Sequence, residues 1–102
     1  MFEYKGKKYD FKFTKEKVSE IETATGKSLI AEWQEQRGLF RLTTLDVIFQ
    51  LCIKPATGSD FLNQQDGLDA GNGYMNEHGY GPVCMMIINQ LKKDVPFLFL
   101  VN

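Results

Sequence analysis

His78 is the only histidine of the chain, and it stands directly after Glu77 with Asp69 a short distance upstream. An imidazole beside carboxylates could hold a metal or move a proton. The spacing fits no HExxH and no Ser-His-Asp order, so the plainer reading is a polar surface segment. Gly71-Asn72-Gly73 shares its glycines with a phosphate-cradling loop. No buried strand precedes it and no Lys-Ser/Thr pair follows, so it lacks the parts that would hold a nucleotide. Cys52 and Cys84 both lie in apolar stretches, far from each other in sequence. They read as small core residues suited to a reducing compartment rather than as a zinc or redox pair. Glu16, Glu20 and Glu22 alternate with Lys15 and Lys17, the pattern of a solvated helix face carrying intrahelical ion pairs. The expectation is no catalytic residue, no metal ligand and no cofactor, and therefore a binding protein rather than an enzyme.

The bulk properties point the same way. A chain of 102 residues, 43% hydrophobic and 25% charged, is expected to fold as a single domain spanning 1–102. Twelve Lys plus Arg balance thirteen Asp plus Glu to a net charge of -1, which offers no basic excess for nucleic acid. The longest apolar run, Val83 to Ile88, is far short of the roughly 20 residues of a membrane-spanning helix. Neither a signal peptide nor a membrane anchor is expected, since no basic stretch leads into an apolar one at the start.

The expected fold class is α+β, mainly α, with an N-terminal β-hairpin packed on four to five short helices. Tyr9, Phe11 and Phe13 alternate with Lys8, Asp10 and Lys12, the period of a strand with one wet face. With Phe2 to Tyr4 as its partner, residues 2–13 form a hairpin turning at Gly6. The loop is Lys5-Gly6 or Gly6-Lys7. The first register pairs Glu3 with Lys8 and Phe2 with Tyr9; the second pairs Phe2 with Phe11 but opposes Glu3 to Asp10. Both place Phe2, Tyr4, Tyr9, Phe11 and Phe13 on one face, which must lie on helices.

Residues 14–56 read as a helical half. Thr14 caps a helix carrying Val18, Ile21 and Thr25 that stops at Gly26. Ser28 caps a second, Leu29 to Arg37, with Leu29, Ile30 and Trp33 on one face and Glu32, Glu35 and Gln36 wet. The spacing of Trp33 favours core packing over an interface role. Thr43 or Thr44 opens a central helix through Leu45, Ile48, Phe49 and Cys52, ended by Lys54-Pro55. A second helical half spans 59–95, with a helix capped by Ser59 or Asp60, a glycine-rich mobile loop over 70–81, and a final helix. That helix has Pro82 in its first turn and Cys84, Ile87, Ile88, Leu91 and Val95 on its apolar side.

Residues 96–102 form an apolar tail in which Phe97, Leu98, Phe99 and Leu100 carry more greasy surface than a soluble protein leaves bare. Either the tail folds back on its own helices or adds a strand to the hairpin, or it docks on a partner. Met85 and Met86 supply adaptable lining for such a contact. These six residues are the candidate protein-binding set.

A hairpin leading to Phe13-Thr14, a helix with Ile21-Glu22, the break Thr25-Gly26-Lys27-Ser28-Leu29 and a capped helix with Leu45 and Leu51-Cys52 follow in order. Over residues 2–58 this pattern is similar to the tail assembly chaperones of long-tailed bacteriophages and prophages. The resemblance implies a small helical protein of the host bacterial cytoplasm without enzymatic activity or cofactor. Its implied partners are the tape measure protein and the tail tube protein, with self-association left open. The competing readings are a small phage or bacterial regulatory adaptor for a host protein and, further off, an enzyme built on Asp69, Glu77 and His78.

Overall fold

A computed structural model describes residues 1–100; the part of the expected tail at Val101 and Asn102 lies outside the described residues. In chain order the elements are β1 (Phe2–Tyr4), β2 (Lys7–Phe11), α1 (Lys15–Thr25), α2 (Leu29–Glu35) and α3 (Leu42–Cys52). Then come β3 (Ile53–Pro55), α4 (Gln64–His78), α5 (Tyr80–Asp94) and a 3-10 turn, Pro96–Phe99. The fold is α+β and mainly α.

The hairpin turns through Lys5 (φ 51) and Gly6 (φ 76). Two successive left-handed residues are the turn whose twist matches the flanking strands, and glycine adopts one of them without strain. This selects the register Phe2↔Tyr9, Glu3↔Lys8 and Tyr4↔Lys7. Opposite charges face each other, and the Glu3–Asp10 opposition of the other register is avoided. Phe2, Tyr4, Tyr9 and Phe11 share the inner face, where Phe2 and Phe11 are buried.

A third strand was not among the sequence expectations. The central helix ends at Cys52 rather than at Lys54-Pro55, and Ile53–Pro55 pairs antiparallel with β2, giving the order β1-β2-β3. Lys54 precedes a proline and is thereby steered to extended backbone, while burial of Ile53 against Phe11 draws the segment onto the sheet. The helix also starts earlier than Thr43: Arg41 is its N-cap, without a side-chain cap bond, and Thr44 lies buried inside it.

The expected loop at 70–81 is a second correction. Asn63, not Ser59 or Asp60, caps α4, which runs through the glycine-rich stretch to His78. Gly79 (φ 101) then makes the break before α5. The glycines make room for neighbours: a Cβ on Gly67 would overlap the carbonyl oxygen of Phe49, one on Gly71 its ring, and one on Gly73 the ring of Tyr4. Each glycine weakens a helix by about 1 kcal/mol relative to alanine. Close contact of α4 with α3 and the hairpin offsets that cost.

The core runs from Phe2, Phe11 and Phe13 through Ile21, Leu45, Ile48 and Phe49 to Ile87 and Leu91. Asp94 fastens the end of α5 to the far end of the sheet, accepting a hydrogen bond from Phe13 N at 2.9 Å and pairing with Lys12 at 3.5 Å.

Candidate functional site

The groups most able to do chemistry are spread along one helix. Asp69 and Glu77 are about 12 Å apart along the axis of α4 at 1.5 Å per residue, and Asp69 accepts from Gln65 Nε2 at 2.9 Å. His78 stacks on Tyr74 with centroids 4.2 Å apart and meets Glu77 only at 3.8 Å. Among the described residues no three His, Cys, Asp or Glu side chains group as metal ligands, and no helix is long and apolar enough to cross a membrane.

Both thiols are buried. Burial pushes Cys52 up to about 12. Cys84 is also raised, chiefly by burial, with Sγ accepting from Phe40 N at 3.4 Å. A thiol held protonated is a poor nucleophile and a poor ligand. Beside it, Tyr80 donates its hydroxyl to the Phe40 carbonyl, and desolvation pushes its pKa up as well, holding the phenol neutral.

Two carboxylates expected on wet helix faces act inside the structure. Glu32 is 1% exposed. It accepts from Arg41 N at 2.9 Å, from Arg41 Nε at 3.0 Å and from Thr44 Oγ1 at 2.8 Å. A negative group thus sits on the positive end of α3, completing from α2 a cap that the local sequence lacks. Glu22, likewise, reaches from α1 to accept from Leu29 N at 2.9 Å. Glu20 keeps the expected role, pairing with Lys17 at 3.7 Å.

The expected protein-binding residues divide into two groups. Leu98 and Phe99 fold back and pack partly on the core, as does Met86. Met85, Phe97 and Leu100 stay uncovered, at 60%, 50% and 77% exposure. Phe97 lies in the 3-10 turn, and Leu100, whose N–H donates to the Phe97 carbonyl, directly follows it. Phe99 meets the edge of Trp33 at 6.1 Å, and the Lys92 ammonium lies 5.8 Å from both rings. Met85 is two turns before Lys92 on the same side of α5. The result is an apolar end built from α2, α5 and the 3-10 turn, with one cation set over its aromatics.

Sequence reasoning missed Leu42, which is exposed at the start of α3; its spacing to Leu45 and Phe49 imitates a core position. It also missed a cleft of about 990 Å³ between the hairpin and the first half of α4, lined by Tyr4, Tyr9, Leu62 and Ala70. Asp66 and Asp69 precede the stretch read as a loop; what the sequence does not show is that Tyr4 and Tyr9 of the hairpin lie across from them. No family model, curated protein or solved structure matches this chain.

Proposed function

We propose that this protein is a tail assembly chaperone, a non-catalytic binder that covers an apolar helix of the tape measure protein and brings tail tube subunits to it in the host cytoplasm. The observation that carries the reading is the uncovered apolar end, where Met85, Phe97 and Leu100 remain exposed although the core beneath them is closed. Apolar side chains at helical and 3-10 spacing match the side-chain rows of an amphipathic helix. The two methionine side chains beside each other, Met85 bare and Met86 half-buried, allow that surface to adapt. The tape measure and tube partners come from the sequence resemblance over residues 2–58.

Co-expression with the tape measure product of the neighbouring gene tests the reading by pull-down. The expected result is a soluble complex that the double variant Met85→Glu/Phe97→Glu abolishes while its helical circular dichroism is retained. No complex, or one indifferent to the double variant, overturns it. Capture of a host regulator with no tail gene nearby points instead to the adaptor reading.

A further inference from the structure

We infer that the cleft between the hairpin and α4 is a second docking groove, which takes an amphipathic helix of a protein partner carrying acidic side chains along one flank and basic ones along the other. Its floor is apolar and aromatic. Tyr4 and Tyr9 lie on the inner face of the sheet, only half-buried, and Leu62 and Ala70 continue that surface. One wall is basic: Lys5, Lys7 and Lys8 line it, and the Lys5 ammonium lies 5.4 Å from the centroid of the Tyr4 ring. The opposite wall, on α4, carries Asp66 and Asp69. Among the described residues no ion pair within 4.0 Å engages any of these five charges. Asp66 and Asp69 are held in place by Asn63 and Gln65 instead.

Charge of opposite sign on two sides of a greasy floor selects an occupant with the complementary arrangement. A helix fits better than a strand. Strand addition needs unpaired backbone groups at the groove: at β3 Pro55 has no N–H, Ile53 O already accepts from Leu62 N and Ala56 N donates to Lys8 O, and β1, the other edge, is only three residues long. A helix satisfies its own backbone and brings only side chains.

The groove is also separate from the apolar end around Phe97. It opens at the turn of the hairpin, whereas α5 is fastened at Lys12 and Phe13, beyond the other end of β2. At about 3.3 Å per strand residue the basic wall at Lys7 lies roughly 17 Å from Lys12, where Asp94, three residues before Phe97, is fastened.

Three synthetic helical peptides of about 18 residues, sharing one leucine stripe, serve as probes: mixed flanks, both flanks Glu, and both flanks Lys. They are titrated into the 15N-labelled full chain bearing Met85→Glu/Phe97→Glu, which removes the other apolar surface. The mixed peptide is expected to bind about tenfold more tightly than either uniform one, as two or three screened ion pairs would give. Amide shifts should fall on residues 4–9 and 66–70. Lys5→Glu/Lys7→Glu should transfer the preference to the all-Lys peptide, and Asp66→Asn/Asp69→Lys to the all-Glu peptide; all four positions are exposed. Either wall suffices should the other variant not fold. A ranking unchanged by a folded wall variant overturns the inference, as do shifts elsewhere or no binding by any peptide.

Discussion

α4 and α5 are both 15 residues long and follow one another through Gly79, yet they are held by opposite means. α5 buries Val83, Cys84, Ile87, Ile88 and Leu91 at helical spacing, and its side chains form the contact. On α4 the buried positions are Gly67, Ala70 and Gly71, so it is the near absence of side chains that lets its backbone approach Phe49. One helix brings its own apolar stripe, and the other is shaped to receive its neighbour's. The consequence is that equal substitutions should have unequal effects in the two.

The largest effect is expected from Gly67→Ala. The new methyl overlaps a carbonyl oxygen of α3, and backbone cannot swing aside as a side chain can. Overpacking of this kind costs about 3 kcal/mol or more, which is a large part of the stability of a small domain. Urea denaturation monitored by circular dichroism should show a collapse of the midpoint; a near-neutral result would mean that α4 stands further from α3 than described.

On the α5 side the same comparison is sharpened by Leu91→Ala. Leu91 is fully buried, and truncating such a leucine costs about 2–5 kcal/mol depending on how far the cavity closes. The loss should be graded along the helix, with Met85→Ala close to zero because its side chain is mostly in water. A Met85→Ala cost comparable to that of Leu91→Ala would mean that the apolar end is already covered.

Cys52 reports on the core from which both helices take their stability. Its thiol stays protonated to about 12 when folded, against an ordinary 9.0 when unfolded. Between those values the unfolded chain binds fewer protons than the folded one. Stability is therefore complete below pH 9.0 and declines as the pH climbs toward 12, with a slope approaching about 1.4 kcal/mol per pH unit. Cys52→Ala should flatten that decline in paired denaturation curves, and an identical slope in the variant would show the thiol to be wetter than the fold implies.

The contrast between α4 and α5 also marks how much was legible in the sequence. α5 was readable because periodic apolar residues announce a buried face, and the caps Thr14 and Ser28 announced α1 and α2 by a local hydrogen bond. α4 was not, because glycine enters pattern reasoning as a breaker and its use as a close-packing surface depends on Phe49 and Tyr4, which are distant in the chain. Glu32 was missed for the same reason: nothing within its own helix shows that Arg41 and Thr44 will converge on it. The third strand needed the partner β2 before Ile53–Pro55 could be told from a frayed helix end. At the end proposed as the binding surface, the apolar tail and Met85 were legible as excess greasy surface. Which of those residues fold back was decided by Trp33 and Lys92, whose positions the tail's own composition does not encode.

The smallest effect, and the one that isolates the cause, is Gly81→Ala in the first turn of α5. A Cβ there meets nothing within 4 Å beyond its chain neighbours, and Gly81 is not among the glycines held at positive φ. Pro82 follows directly, and a proline crowds the Cβ of a helical residue before it, so the gain in helix propensity is offset and the net change stays within about 1 kcal/mol of zero. It is chemically the same change as Gly67→Ala, made one helix later, with a much smaller effect. Should Gly81→Ala cost as much as Gly67→Ala, crowding by α3 would not be the cause; should Gly67→Ala be as mild as Gly81→Ala, the glycine face of α4 would not be a packing surface. Thermal melts of the two variants beside the parent decide it, because a small change for Gly81→Ala together with a collapse for Gly67→Ala leaves the absence of a side chain at the α3 contact as the cause.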